Sequence, residues 1–557
     1  MEFIMKNKQN VLPKKEVESV FALYSSGEFQ KAIDLIKELN NKYPNQPLLF
    51  NLSGACYKGL GELAGAAKMF EIAVSLSPRY SEAHFNLGVI FQALGQKEEA
   101  IKSYKNAISI TPNYPDAHNN LGNLFLDLGQ IAKAVESLEW AVAYKHDFAE
   151  AYNNLGNALN AQGNEVDAIT NFKKAIVYNP AYAKALFNLA LVYKDLGNKE
   201  DFIKYISLAL NLKPDWGAAY FHLSQLTKYK KNDPKIAEML SILNNNSLDI
   251  NDRTNLNFAL AKAYEDIKDF DKQFKALNTG NSLRKKELNY SIERDFTLFT
   301  RIKEAFNPPP SILRKPLNNS STITPIFILG MPRSGTSLVH QILDSHYKVR
   351  GMGELNYLNK SVFPIISKNN NLDKAGLTEG DLKIIREEYL NSISSLQLKE
   401  GVFVDKMPLN FRYIGFILSA IPEAKIIHTT RSPFATCWSI YKYFFTGNAY
   451  SFDQTDLAKY YGLYIDLMQF WGGLFPDKIY EVNYEHLTIK QKSETQKLLK
   501  YCDLDWDDNC LNFHANKTAI KTTSSMQVRQ KMYQGSSEAW KEYEDYLQPL
   551  IKGLSQN

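Results

Sequence analysis

The chain has 557 residues, 45% of them hydrophobic and 22% charged, which excludes both a single-core domain and a wholly disordered chain. Its net charge of +5 is small for that length and no basic block stands out, so nothing in it points to nucleic acid. Four cysteines (Cys56, Cys437, Cys502 and Cys510) form neither a disulfide framework nor a metal-ligand spacing, and no stretch has the apolar length of a membrane span or the apolar core of a signal peptide. The expectation is a soluble, cytoplasmic, multidomain protein with no metal and no membrane contact.

From residue 11 the sequence repeats itself. Proline recurs at Pro44, Pro78, Pro112, Pro180 and Pro214, with His146 in the one missing place of a 34-residue period. Glycine keeps the period at Gly54, Gly88, Gly122 and Gly156, and again at Gly27, Gly61, Gly95, Gly129, Gly163 and Gly197. A unit of this length with small residues at these offsets is the tetratricopeptide repeat, two antiparallel helices per unit. The second glycine series ends the first helix and the proline ends the second. About six units over 11–226 are expected to stack into a superhelical solenoid with a concave groove.

Asparagine also recurs, at Asn86, Asn120, Asn154 and Asn188, with Asn119 and Asn153 beside two of them. The Asn-Asn-Leu-Gly wording at 119–122 and 153–156 is similar to the asparagine ladder in the repeats of the O-linked N-acetylglucosamine transferase. Two roles stand open: amides offered to the backbone of an acceptor peptide in the groove, or amides that brace neighbouring helices.

After Leu226 the register fades. Residues 227–305 are expected to form irregular helices that cap the array, with Asp269 in the place of a repeat glycine. The proline run Pro308-Pro309-Pro310 and the polar stretch that follows predict a linker over 306–322.

A second domain is expected over 323–557. Apolar runs at 325–329, 402–405, 424–430 and 478–482 alternate with helical patterns, which predicts a parallel sheet with crossover helices. The run Ile326-Phe327-Ile328-Leu329 leads into Gly330-Met331-Pro332-Arg333-Ser334-Gly335-Thr336-Ser337 and then an amphipathic pattern. That order is strand, P-loop-like turn and helix, in which convergent N–H groups and a helix N-terminus hold an anion. Thr336 stands where a Walker A lysine would, which disfavours a nucleoside triphosphate and a kinase.

Arg333 inside the loop, together with Arg431 eight residues before Ser439 at the next strand end, resembles the 5′-phosphosulfate loop and the 3′-phosphate motif of PAPS-dependent sulfotransferases (PAPS, 3′-phosphoadenosine-5′-phosphosulfate). The Pro-Arg-Ser-Gly-Thr wording, Arg350-Gly351-Met352-Gly353-Glu354 and Val404-Asp405-Lys406-Met407-Pro408 look most like the tyrosylprotein sulfotransferases. The resemblance covers about residues 323–545. It implies Glu354 as the base that takes the acceptor hydroxyl proton, Lys406 on the leaving bridging oxygen, and Arg333 on the transferring group. It further implies Ser524 at the transition state, and Ser334, Gly335, Thr336, Ser337, Arg431, Ser439, Tyr484 and Ser525 on the nucleotide, with PAPS as donor and no metal.

Two places depart from that pattern. The lysine expected before Trp540 is Ala539, leaving Lys531, Arg529 or Lys541 as substitutes, and the arginines that read acidic residues beside an acceptor tyrosine fall on Asn356 and Lys360. The implied function is sulfuryl transfer from PAPS to an acceptor hydroxyl, peptide tyrosine or else a glycan or small-molecule hydroxyl, with the repeats recruiting the acceptor. The alternative is a nucleotide-binding scaffold without turnover.

Overall fold

The computed structural model describes residues 12–307, 323–368, 377–394, 401–516, 518, 522 and 525–556. Residues 308–322, nearly all of the expected linker, lie outside the described residues. Contacts divide the chain into two compact units, Met1–Leu189 and Ala190–Asn557.

Among the described residues, ten helices lie within the first unit: Lys14–Ser25 (α1), Phe29–Lys42 (α2), Pro47–Gly59 (α3), Leu63–Leu76 (α4), Ser81–Ala93 (α5), Lys97–Ile110 (α6), Pro115–Asp127 (α7), Ile131–Tyr144 (α8), Ala149–Gln162 (α9) and Glu165–Tyr178 (α10). The period seen in the sequence has two physical roots here. At the turn between paired helices Gly27, Gly61, Gly95, Gly129 and Gly163 all adopt positive φ, between 71° and 85°, which a side chain would oppose. Inside each first helix, a Cβ added at Gly54, Gly88, Gly122 or Gly156 would come within 2.6–2.8 Å of Phe70, Tyr104, Leu138 or Phe172. Those four side chains are buried to 1% exposure or less, so the glycine is what lets the second helix close on the first.

The asparagines brace the array. Asn86 donates to Asn51 Oδ1 (3.0 Å), Asn154 to Asn119 Oδ1 (2.9 Å) and Asn188 to Asn153 Oδ1 (2.9 Å), each across one repeat. Asn119, Asn153 and Asn154 are buried, so these amides satisfy one another where water does not reach.

Ala183–Asp195 (α11) runs into the second unit, where Lys199–Leu212 (α12), Gly217–Ser224 (α13), Pro234–Leu243 (α14), Ile250–Asp266 (α15), Phe270–Leu288 (α16) and Glu293–Glu304 (α17) follow. Between α15 and α16 the left-handed residue that takes the repeat glycine's place is Lys268 (φ 58°) rather than Asp269. Asp269 instead caps α16, its carboxylate accepting from the Lys272 N–H, because a short acidic side chain can satisfy an orphan donor of the first turn.

A five-stranded, all-parallel sheet occupies the rest: Ile323–Gly330 (β1), Val349–Gly351 (β2), Gly401–Lys406 (β3), Lys425–Thr430 (β4) and Ile479–Asn483 (β5), in the order β2-β3-β1-β4-β5. Four of the five were expected. β2 has only three residues and no apolar run, so its ladder to β3 is visible only in space. Central β1 is buried along seven of its eight residues, as a strand covered on both faces must be. Thr336–Asp344 (α18) follows β1, Tyr357–Lys368 (α19) and Glu379–Ser394 (α20) separate β2 from β3, Ile414–Ala420 (α21) precedes β4, and Pro433–Tyr441 (α22) follows it.

The helices after the array dock on this domain through α22. Phe274 of α16 stacks on Trp438 (5.3 Å), Tyr441 donates to Asn278 Oδ1 (2.6 Å), and Lys442 pairs with Glu265 at 2.9 Å. All four cysteines are free and buried. Among the described residues no helix is long and apolar enough to cross a membrane, and no cluster of His, Cys, Asp and Glu could hold a metal ion.

Candidate active site

Parallel strands deliver their carboxyl ends to one edge, and the register fixes which residues meet there. Ile328 pairs with Lys406, Gly330 with Thr429, Thr430 with Asn483 and Gly351 with Val404. Loop 331–335, Glu354, Lys406, Arg431 and Tyr484 therefore all leave the same edge of the sheet.

The loop after β1 is held by its own polar groups. Ser334 Oγ bonds to the Met331 carbonyl and to Thr429 Oγ1, both at 2.7 Å, which ties the loop to β4. The Ser334 side chain is thus buried within the domain, and only its backbone is available to a ligand. Gly335 has φ 105°, and a Cβ on it would lie 2.8 Å from the Tyr484 ring. α18 starts next, with Leu338 and Val339 donating to the Gly335 carbonyl. The N–H groups of its first turn have no acceptor within the helix, an arrangement suited to an anion.

Two guanidinium groups face that corner. Arg333 sits in left-handed backbone (φ 68°), a conformation costing about 1–3 kcal/mol, and its carbonyl accepts from Arg431 at 3.2 Å. Its side chain donates to Ser439 Oγ (2.9 Å) and Gln527 Oε1 (3.0 Å). The serine expected to share one phosphate with Arg431 is thus bonded to Arg333. Arg431 itself donates to Ser537 Oγ (3.1 Å) and the Ser536 carbonyl (2.7 Å), and lies over the Tyr484 ring at 4.7 Å. Glu485 fastens this arrangement by accepting from Ser537 Oγ (2.5 Å) and the Ser432 N–H (3.1 Å). Burial lowers the pKa of both arginines, and Arg431 lowers that of Arg333 further by repulsion. Both stay charged, and an anion between them would relieve that repulsion.

On the other side of β1, the ladder between β2 and β3 continues past Gly351: the Met352 N–H donates to the Val404 carbonyl and the Lys406 N–H to the Gly353 carbonyl, both at 2.9 Å. This sets Glu354 beside Lys406, and the two form an ion pair. Lys406 is buried while Glu354 is 39% exposed, so the carboxylate is the member that meets solvent. Behind them, burial pushes Asp405 up to about 7, with Tyr389 of α20 donating to it at 3.0 Å. Burial first, and nearby Lys406 second, bring His340 of α18 down to about 4.

Arg333, Gly335, Thr336, Ser337, Glu354, Arg431, Ser439 and Tyr484 line one cavity of about 1220 Å³. Ser524 lies outside the described residues, and of Ser525 only the backbone is described, at the head of the short helix Ser525–Val528. Among the three substitutes for the lysine absent at Ala539, Lys531 lines the cavity with Ala539 itself. Arg529 is turned onto the carbonyls of Asp195 (2.6 Å) and Thr518 (2.9 Å), and Lys541 is paired with Glu538. Asn356 lines the cavity and Lys360 does not. Ser536 and Ser537, which hold Arg431, carry no motif of their own, and the only signal for them was their nearness to Ala539 in sequence; Glu485, which holds Ser537, belongs to the Tyr484-Glu485-His486-Leu487 stretch that resembles a Tyr-Glu-x-Leu element of the sulfotransferases.

Comparison with known proteins bears on this site. The sulfotransferase family model matches residues 325–508, and tetratricopeptide-repeat models match 90–129, 122–163, 156–197 and 183–215. An uncharacterized protein of Aquifex aeolicus (strain VF5) is 34% identical over 341 residues, covering 59% of this chain and 45% of that protein. The protein-tyrosine sulfotransferase of Drosophila melanogaster is 27% identical over 197 residues (34% of this chain, 39% of that protein). Protein-tyrosine sulfotransferase 1 of Danio rerio is 25% identical over 230 residues (38% and 65%). The chain thus spans less than two thirds of the length of each of these relatives. It carries tetratricopeptide repeats followed by a C-terminal domain of the sulfotransferase family.

Proposed function

We propose that the C-terminal domain transfers a sulfuryl group from PAPS to an acceptor hydroxyl, and that peptide tyrosine is the first acceptor to test. One observation carries the reading: Gly335, Thr336 and Ser337, the two arginines and Glu354 open on a single cavity. The donor is a nucleotide phosphorylated at its 3′ position that bears phosphosulfate at the other end. Arg431, with Lys531, suits the 3′-phosphate, and the N–H groups of 335–337 with Arg333 suit the 5′ end. The Tyr484 ring, resting on Gly335 and under Arg431, closes the nucleotide side.

In this reading Glu354 takes the acceptor O–H proton as that oxygen forms a bond to sulfur. The bond from sulfur to the bridging oxygen breaks, its electron pair stays on the leaving nucleotide, and Lys406 stabilises that charge. Lys406 must then shift from Glu354 toward the bridging oxygen once the donor enters. Ser524 and Ser525 remain assigned by resemblance alone, to the transition state and the nucleotide. The repeats recruit a protein or peptide acceptor, a role in keeping with repeats of this kind. The test is calorimetric binding of adenosine 3′,5′-bisphosphate: Arg431→Ala is expected to weaken it by about 100-fold, the scale of removing a partly buried charge partner. Unchanged affinity would count against the site.

A further inference from the structure

The cavity exceeds the roughly 300–1,000 Å³ usual for one small ligand, and the sulfotransferase-family region makes only part of it. Lys194, His222, Asn251 and Arg284, all from α11, α13, α15 and α16, line it too. A smaller alcove of about 270 Å³ shares Lys194, Arg333, Lys442, Tyr443 and Gln527 with it but has none of the phosphate-loop residues 334–337, nor Arg431 or Tyr484. The alcove therefore leads from Arg333 away from the nucleotide end. One ring spans the distance: Tyr443 lies 5.9 Å from the Arg333 guanidinium and 5.6 Å from Phe221, the neighbour of His222.

The cations of this wall are not equivalent. Lys442 is neutralised by Glu265 (2.9 Å), Lys262 by Asp266 (2.6 Å) and Arg284 by Glu287 (2.7 Å). Lys194 makes no ion pair among the described residues; its ammonium hydrogen-bonds to His222 Nδ1 at 3.2 Å. His222 is neutral, since burial and the neighbouring ammonium both lower its pKa, so it accepts from Lys194 without cancelling its charge. Asp195, next in sequence and lining the same cavity, raises the Lys194 pKa through its field against the burial that lowers it. A largely desolvated ammonium held by a neutral ring beside a cavity keeps its full charge for a group of opposite sign.

We infer that Lys194, held by His222, reads an anionic group carried by the acceptor, so that the helices following the repeats supply the specificity wall of the active site. This rests on the sulfuryl-transfer reading for the word acceptor, while the charge preference itself needs no turnover. The test is calorimetry on the full chain with two phenols of similar shape and opposite charge, 4-hydroxyphenylacetate and tyramine, each titrated with and without saturating adenosine 3′,5′-bisphosphate. The unmutated chain is expected to bind the anionic phenol about 10-fold tighter or more. Lys194→Met should abolish that preference, Lys194→Arg should keep it, and neither should change the affinity for adenosine 3′,5′-bisphosphate. The inference is overturned if the unmutated chain binds neither phenol or shows no preference, if Lys194→Met retains the preference, or if nucleotide affinity falls in parallel, which would move Lys194 to the donor end. Failure of the nucleotide to bind the unmutated chain would instead count against the donor reading, with the phenols still scored in its absence.

Discussion

Gly122 and Gly335 both leave no room for a methyl group, yet they answer to different neighbours. Gly122 faces Leu138, and the same contact with a residue sixteen places on recurs at Gly54, Gly88 and Gly156. Gly335 faces Tyr484, far along the chain and outside any repeated unit. The array spreads its stability over near-identical local contacts, whereas the domain concentrates its chemistry in contacts made once between distant segments. Damage should therefore be graded in the first region and all-or-none in the second.

The largest effect is expected from Gly335→Ala. The new methyl meets the Tyr484 ring in backbone that disfavours a side chain, so adenosine 3′,5′-bisphosphate affinity should fall by about 100-fold, on top of the roughly 1–3 kcal/mol of stability such backbone costs. Retained affinity would show that loop and ring tolerate separation. Gly122→Val should act the other way: about 1–3 kcal/mol of stability lost in denaturant melts by overpacking against Leu138, with nucleotide affinity unchanged. A loss of nucleotide binding there would break the contrast.

Smaller still is a pH effect that belongs to the sheet. Burial lowers His428 of β4 to about 4, and Glu481 at 3.9 Å is too exposed to offset it. Between pH 6.5 and about 4 the unfolded chain binds a proton there that the fold does not, so stability is full above that window and falls as the pH drops through it. His428→Asn should flatten the fall by about 1–3 kcal/mol in acid melts, a range set by the linkage of pKa to stability. His340, lowered to about 4 as well, continues the same trend, and Asp405, raised to about 7, opposes it, so the flattening is partial.

The same contrast explains what could be read in advance. The period announced helix pairs, turns and small-residue contacts together, because each is a local consequence of one repeated unit. The loop after β1 was legible as strand, turn and helix, and the strand ends that carry Lys406 and Arg431 were legible as apolar runs, while Glu354 stood out only by its motif's resemblance. Pairing across space was not. Ser439 bonds Arg333 rather than Arg431, Ser536 and Ser537 hold Arg431, and β2 exists only as a ladder against β3. Nothing in a repeat pattern says which helix will line a distant cavity, so Lys194 and His222 had no signal in the sequence.

Transfer of label from ³⁵S-PAPS to a tyrosine-bearing peptide, compared between the unmutated chain and Glu354→Gln, tests the central claim most directly. The unmutated chain should label the peptide, and the variant should lose about 10²- to 10⁴-fold in rate while binding adenosine 3′,5′-bisphosphate as before. Equal rates in both proteins would contradict Glu354 as the base, and no labelling of any hydroxyl by the unmutated chain would contradict sulfuryl transfer itself.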